Sequence, residues 1–329
     1  MRTPLSVLSL ASISAEGTIA SAFRNVVDFA KAAERSGYQR FWIAEHHNIQ
    51  GVASSATAVL IGHVAQQTST IRVGSGGVML PNHAPLMVAE AFGTLETLYP
   101  GRIDLGLGRA PGTDPLTTRA LRRETKMTGR EFPDLVEELQ LFLAPAEPGQ
   151  GIQAIPGAGL DIPIWILGSS LWSADFAASA GLPYAFAAHF APADLMDALE
   201  IYRSRFKPSR ALSKPRVMVC IPVVAAPTDE EANFLVTTTY QRILGLITGR
   251  RPPASPPPVK SMDLLWTTRE KAGVESFLAE LIVGGPETVR RNLLAFQERT
   301  KADEIMVHTE LHQKADTIRS LEITAQAWA

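Results

Sequence analysis

Ionisable side chains cluster where a short apolar run ends near residue 45. Residues 41–44 read Phe-Trp-Ile-Ala, and Glu45, His46 and His47 follow directly. An imidazole takes up or releases a proton near neutral pH, so a histidine here could act as a general acid or base. Two surface histidines at a strand end are the alternative. We expect no metal site, because neighbouring strand residues point to opposite sides and His46 and His47 could not easily share an ion.

Glycines interrupt the next apolar run. Gly74, Gly76 and Gly77 stand within four positions, a pattern typical of a bulge or of backbone that closely approaches a ligand. A flat ring system needs such clearance, and a loose turn is the alternative. The segment lacks the third glycine and the following helix of a nicotinamide-dinucleotide fingerprint, as does the later Gly106-x-Gly108.

Two further strand ends carry groups suited to an anion. Arg109 follows Gly108, and a guanidinium binds phosphate or carboxylate with paired hydrogen bonds. A serine-rich turn precedes a predicted helix, whose free N–H groups could hold a phosphate together with the hydroxyls of Ser169, Ser170 and Ser173. A surface ion pair and an ordinary serine cap are the alternatives. Since the two strand ends are adjacent, both could converge on one phosphate.

These residues lie on a regular alternation of apolar runs and segments of helical periodicity. The predicted strands are residues 5–11, 41–44, 71–74, 103–107, 162–167, 184–187, 216–224 and 304–308. Eight such units predict an α/β fold, a single (β/α)8 TIM-type barrel over residues 1–329, with a doubly wound sheet as the competing arrangement. In a barrel, the carboxyl ends of the strands form the working face.

Two connecting segments are longer than a compact domain usually needs. Residues 144–159 are rich in proline and glycine, and residues 248–265 contain Arg-Arg-Pro-Pro and a run of three prolines. We predict both as insertions in the barrel. The second is either a plain flexible connection or a lid over the site.

Composition excludes several classes of protein. The chain has 329 residues, 46% of them hydrophobic, with 31 basic and 33 acidic side chains. A near-neutral charge gives no electrostatic attraction for nucleic acid or an anionic membrane surface, and no apolar run reaches the ~18 residues of a membrane span. Cys220 is the one cysteine, so no disulfide framework forms, and we expect it to be buried. We expect residues 5–11 to form a strand rather than a leader, and the protein to be cytoplasmic.

Five segments, in this order, resemble the bacterial-luciferase-like flavin monooxygenases. They are residues 45–48 (EHHN), 73–81 (VGSGGVMLP), 101–109 (GRIDLGLGR), 167–170 (LGSS) and 283–289 (VGGPETV). The resemblance spans nearly the whole chain and implies a TIM-type barrel that binds FMN, received reduced from a separate NAD(P)H-dependent flavin reductase. It implies an enzyme that uses reduced FMN and O2, through a C4a-hydroperoxyflavin, to oxygenate a small organic substrate. A homodimer is also implied.

The resemblance assigns roles residue by residue. His46 matches the histidine beside the flavin that handles protons, and Gly76–Gly77 matches a bulge under the flavin ring where relatives often have a non-prolyl cis peptide. The insertion at 248–265 matches a mobile loop over the site. In some relatives the position of Ser169 is acidic, so its contact with the cofactor could be through the backbone alone. The remaining residues expected at the cofactor, several of them at its phosphate, are Gly108, Arg109, Leu167, Gly168, Ser169, Ser170 and Ser173.

The substrate is expected to be apolar or aromatic, from the residues predicted to shape the mouth of the barrel. These are Met79, His83, His189, Phe190 and Trp266, of which His83 and His189 are interpreted as structural rather than catalytic. Two other functions stay open. One is hydride transfer with a deazaflavin, and the other is a flavoprotein that binds FMN without turnover.

Overall fold

Eight parallel strands close into a barrel in the computed structural model, which describes residues 2–110, 114–121, 131–250 and 254–329. The barrel strands follow one another in the order β1 (Leu5–Ser9), β2 (Arg40–Ile43), β3 (Arg72–Met79), β4 (Ile103–Gly108), β5 (Ile164–Gly168), β6 (Tyr184–Ala187), β7 (Val217–Ala225) and β9 (Glu304–His308). Pairing of β9 with both β7 and β1 completes the ring. The predicted TIM-type barrel is confirmed, and the doubly wound alternative is wrong.

Most of the helices cover the outside of the barrel. The helices are α1 (Ile19–Arg35), α2 (Thr57–Gln67), α3 (Pro85–Leu98), α4 (Pro115–Leu121), α5 (Phe132–Leu143), α6 (Leu171–Ala180), α7 (Leu195–Arg205), α8 (Asp229–Leu235), α9 (Thr237–Thr248), α10 (Thr268–Phe277), α11 (Pro286–Thr300) and α12 (Lys314–Trp328). In α1, Thr18 and Ser21 form a capping box, and a stripe including Ala22, Val26 and Ala30 is buried against the strands. Helices and strands therefore share one continuous apolar layer.

Strand β3 differs from its prediction. The sequence predicts that it ends at Gly74, but it continues to Met79 with a change of register against β4 between Ser75 and Val78. One extra residue is accommodated there, and the Gly76–Gly77 peptide bond is cis. Ser75 fixes the register, because its hydroxyl donates to the Gly106 carbonyl and accepts the Gly106 N–H, each at 2.9 Å.

A ninth strand lies outside the barrel. β8 (Ile282–Gly284) pairs with the last residues of β7, Val223–Ala225, beyond the point where β7 leaves the ring. Residues 283–289 form one of the motifs named above, and the sequence predicts no strand there. A three-residue strand has too little periodicity to be recognised from sequence.

The insertion at 248–265 packs on the loop after β1 in its described part. The Ser255 N–H donates to the Ile13 carbonyl at 3.0 Å, and the Ala15 N–H donates to the Ser255 carbonyl at 3.2 Å. Ser255 is buried. Residues Arg251, Pro252 and Pro253 of this insertion lie outside the described residues. The other insertion packs on α3, where a Cβ added to Gly93 would lie 2.5 Å from the Gly157 Cα.

None of the described helices combines the length and the apolar character needed to cross a membrane.

Candidate active site

A cavity of about 630 Å³ opens at the carboxyl ends of the barrel strands. This is the face on which TIM barrels build their sites. All ten residues predicted for the catalytic or cofactor site line it, namely His46, Gly76, Gly77, Gly108, Arg109, Leu167, Gly168, Ser169, Ser170 and Ser173. Four separate strand ends therefore bring together residues that are up to 127 positions apart in the sequence, from 46 to 173.

Arg109 and the serine turn meet at one end of this cavity. The Arg109 guanidinium carbon lies 4.1 Å from the centre of the Trp172 ring, on the second residue of α6, which is a cation–π contact. The ring thus holds the arginine beside the N-terminus of that helix. The first N–H groups of a helix have no partner within the helix, and they carry a partial positive charge. This end of the cavity suits an anion.

The serines also cap the helix. Ser170 and Ser173 form a reciprocal capping box, in which the Ser173 N–H donates to the Ser170 hydroxyl at 3.4 Å. The Ser173 hydroxyl lies 2.7 Å from the Ser170 carbonyl and 3.0 Å from the Tyr184 hydroxyl. Helix capping, one of the two interpretations of this turn, is therefore present. Since both serines line the cavity as well, capping and anion binding can coexist.

Gly76 and Gly77 meet different neighbours in the bulge. A Cβ on Gly76 would lie 2.6 Å from Leu8 Cδ1, whereas one on Gly77 would lie 2.7 Å from the main-chain oxygen of Gly106. Clearance for a ligand is thus only part of the reason for these glycines. Gly77 is required mainly by the close approach of β4, and Gly76 by the floor of the barrel.

His46 lies on the cavity wall with two other histidines. His189, after β6, and His308, at the end of β9, have ring centres 5.7 Å apart. Burial, with His308 and His46 close by, lowers the pKa of His189 well below its usual value. The pKa of His308 is also lowered, mainly by burial. Burial therefore favours the neutral form of both rings. The sequence analysis includes residue 308 in a strand but does not predict it at the site.

Glu45 is a functional candidate that the sequence reasoning missed. Its carboxylate is buried, and Oε1 accepts hydrogen bonds from His47 Nε2 at 2.9 Å and His83 Nε2 at 2.8 Å. Oε2 accepts the Met79 N–H at 3.2 Å. Burial opposes ionisation, but the hydrogen bonds from His83 and His47 outweigh it and lower the pKa of Glu45. Glu45 thereby links His47, the residue after His46, to Met79 at the end of the β3 bulge.

The same three side chains form a group that could coordinate a metal ion, since their ligand atoms lie within 4.8 Å of one another. The sequence predicts no metal site because His46 and His47 point to opposite sides. In the structure, His47 lies instead beside Glu45 and His83. Both Nε2–Oε1 distances, 2.9 and 2.8 Å, are those of charge-assisted hydrogen bonds. We therefore interpret the group as a hydrogen-bonded anchor for the bulge.

Glu45→Gln should lower the free energy of unfolding by about 1–3 kcal/mol at pH 7. An amide has one NH2 group and one neutral oxygen in place of two carboxylate oxygens, so it cannot accept all three hydrogen bonds, from Met79, His47 and His83, as strongly. The pKa of Glu45 is lower in the folded protein, so the carboxylate stabilises the fold above its unfolded pKa of ~4.3. The difference between wild type and variant should shrink as the pH falls through the folded pKa. Urea unfolding at pH 7 and at acid pH measures it. Glu200→Gln, on the exposed face of α7, is the control, and a pH-independent difference would contradict the assignment.

Apolar side chains form the rest of the wall. Of the residues predicted to shape the substrate site, Met79, His189 and Phe190 line the cavity. His83 pairs with Glu45 instead, and Trp266 packs against Tyr240 with ring centres 5.6 Å apart; neither is among the described residues of the lining. Cys220 is buried as predicted, and burial raises the pKa of its thiol well above the usual value. It lines the cavity as a neutral, apolar group.

The sequence model of the luciferase-like monooxygenases matches residues 3–302, which include all ten residues predicted for the site. The chain belongs to this family. A luciferase-like monooxygenase of Escherichia coli K12 is 48% identical over 318 residues, covering 97% of this chain and 95% of the relative. The N-acetyl-S-alkylcysteine monooxygenase of Bacillus subtilis is 36% identical over 260 residues, covering 75% of each chain.

Solved structures show the same fold. The crystal structure of apo-MsnO8 has a TM-score of 0.89 and 34% identity, covering 99% of this chain and 98% of that one. The oxygenating component of 3,6-diketocamphane monooxygenase from Pseudomonas putida, solved in complex with FMN, has a TM-score of 0.71, 19% identity and coverage of 99% and 97%. An F420-dependent secondary alcohol dehydrogenase has a TM-score of 0.66, 14% identity and coverage of 100% of both chains. At these last two identities the likeness concerns the fold alone.

Proposed function

We propose that this luciferase-like family member is an FMN-dependent monooxygenase that uses reduced FMN and O2 to oxygenate a small, largely apolar organic substrate. The observation that carries the proposal is the convergence of His46, the glycine bulge, Arg109 and the serine turn on one cavity. An anion-binding end, a glycine-lined floor and a proton-transfer group are the three parts that such a reaction requires of its protein.

The residues present fit the flavin. Arg109 and the N-terminus of α6, with Ser170 and Ser173, would hold the phosphate, since they combine a guanidinium with the N–H groups and hydroxyls at the start of a helix. Gly76 and Gly77 would lie against the ring system, where no side chain projects into the cavity from the bulge. When bound, reduced FMN supplies the electrons and the reaction with oxygen. Everything else falls to the chain itself.

Two tasks remain for the chain. His46 would take up and release protons at the reacting atoms, since it follows the carboxyl end of β2 and lines the same cavity. The apolar wall, including Leu8, Leu10 and Met306, would keep water away from them. The pKa values of the neighbouring His189 and His308 are lowered by burial, which favours their neutral forms, so His46 is the histidine of this wall to which we assign proton transfer.

The source of electrons and the assembly follow from the same proposal. Reduced FMN would come from a separate NAD(P)H-dependent flavin reductase, and the protein would work as a homodimer. For the substrate, the Bacillus subtilis relative acts on N-acetyl-S-alkylcysteines, so a series of these thioethers is the first set to screen. Mass-spectrometric detection of an oxygen atom from ¹⁸O2 in the product would support the proposal. Flavin reoxidation without any oxygenated product across the set would favour a flavoprotein without turnover.

Arg109→Met should weaken binding of FMN about 10- to 100-fold, the usual range for losing hydrogen bonds to a charged group. Riboflavin, which lacks the phosphate, should bind wild type and variant equally. Quenching of flavin fluorescence on titration measures both affinities. Equal loss for the two flavins would place the phosphate elsewhere.

A deazaflavin is the second candidate cofactor, favoured by the shared fold of the F420-dependent dehydrogenase. Titration with F420 under the same conditions distinguishes the two. Tighter binding of F420 than of FMN, together with anaerobic reduction of a carbonyl substrate, would replace the monooxygenase proposal with hydride transfer.

A further inference from the structure

A second arginine lines the cavity, on a wall with many apolar side chains. Arg242 projects from α9, one of the helices inserted after β7. The lining contributed by β7, α9 and α10 includes the apolar Pro222, Val224, Ile243, Leu246 and Phe277, together with the polar Thr239. A guanidinium among such neighbours loses hydration, and this loss has to be offset by hydrogen bonds or an anion.

Arg242 has few partners within the protein. Its Nη1 donates to the Glu310 main-chain carbonyl at a long 3.4 Å, and no carboxylate in the described part of the chain forms an ion pair with it. The Glu310 side chain is already engaged, because its oxygens accept from the Ser9 hydroxyl at 2.8 Å, the Leu10 N–H at 2.6 Å and the Ser12 hydroxyl. A guanidinium has five N–H donors, so most of those on Arg242 are left for a ligand in the cavity.

The position of Arg242 separates it from Arg109. Glu310, its main-chain partner, follows β9, whereas Arg109 follows β4. Around the closed ring, β9 is four strands from β4 in either direction, so the two arginines stand on opposite walls. β2, which carries His46, lies two strands from each. A ligand anchored at Arg242 and one anchored at Arg109 would therefore meet at the centre, near His46.

We propose that Arg242 binds the carboxylate of an organic-acid substrate whose apolar part lies against the surrounding wall. The assignment rests on the proposed function in one respect, that Arg109 is occupied by the flavin phosphate. It narrows the substrate class from a small, largely apolar molecule to an amphiphilic anion. The single charge and long apolar wall favour a monocarboxylate over a dianion.

The test compares two probes of the same shape, 4-phenylbutanoate and the neutral 4-phenylbutanamide. Isothermal titration calorimetry measures their binding to protein saturated with oxidised FMN. Wild type should bind the carboxylate about 10- to 100-fold more tightly than the amide, as expected for charge-assisted hydrogen bonds. Arg242→Met should abolish this preference, and Arg242→Lys should retain part of it, since lysine keeps the charge without the paired donors.

Two controls keep the outcomes distinct. Arg24→Met, on the exposed face of α1, should leave the preference unchanged, and Arg242→Met should bind FMN as tightly as wild type. Equal or undetectable binding of the two probes by wild type, or a preference that survives in Arg242→Met, would overturn the proposal. If FMN fails to bind while the Arg242-dependent preference persists without it, the proposed cofactor fails and the anion site stands.

Discussion

Replacing His46 with alanine should lower kcat for product formation by about 10²- to 10⁴-fold, the range expected when a general acid–base group is removed. The side chain lines the cavity between the two arginines, and a methyl group cannot exchange a proton there. Affinity for FMN should change little, because the phosphate end of the cavity is two strands away. We therefore expect kcat to fall while the affinity for FMN stays nearly the same.

The measurement is the initial rate of ¹⁸O incorporation with saturating reduced FMN, using a substrate found in the thioether series. His63→Ala provides a matched control, since His63 lies on the exposed face of α2 and should be dispensable. His46→Gln separates proton transfer from hydrogen bonding, because glutamine donates and accepts but does not titrate near pH 7. A wild-type rate for His46→Ala under these conditions would remove the catalytic role.

The barrel could be predicted because its signals are local and repeated. Each of the eight barrel strands is an apolar run between helices, and β7 is buried along its entire length from Val217 to Ala225. The predicted end of β3 at Gly74 is wrong, because Gly76 and Gly77 have no side chains that would continue the alternating pattern of a strand through the bulge. Whether a glycine ends a strand or bends it depends on the neighbouring strand, here the hydrogen bonds between Ser75 and Gly106.

The candidate site shows the same division between local and long-range information. All ten predicted residues reach the cavity because each stands at a strand end, and strand ends meet on one face. Glu45, His308 and Arg242 acquire their significance from partners distant in the sequence, such as His83 for Glu45 and Glu310 for Arg242. No short pattern of residues specifies those pairs.

Arg40→Met should lower the free energy of unfolding by about 3–5 kcal/mol, the cost of leaving buried charges without their partner. Arg40 is 3% exposed and stands where β2 begins, at the end of the barrel opposite the cavity. Its Nη1 lies 2.7 Å from Asp104 Oδ2 and its Nε 2.8 Å from Glu304 Oε1. Both acids are fully buried, so solvent cannot replace the guanidinium.

The loss of stability should exceed that for breaking a single ion pair, because Arg40 bridges two separate carboxylates. Asp104 also accepts from Arg72 at 2.7 Å and from the Trp42 indole at 3.1 Å, while Glu304 contacts Arg216 at 3.3 Å. These contacts partly compensate the charge of each acid when Arg40 is absent, but none of them connects β4 to β9. Trp42 lines the cavity floor, so disturbance of Asp104 should also reach the flavin site and weaken FMN binding.

Urea unfolding compared with Arg205→Met tests this account. Arg205 pairs with Asp175 at 2.8 Å, nearly the same distance as Arg40 with Asp104, but its side chain is 63% exposed. Exposed pairs contribute about 1 kcal/mol or less, because water can solvate the remaining carboxylate, and we therefore expect a much smaller loss for Arg205→Met. Similar losses in both would mean that the buried carboxylates are stabilised by Arg72 and Arg216 alone. Adding Glu304→Gln to Arg40→Met should recover part of the stability, because it removes one of the two charges that Arg40 leaves uncompensated.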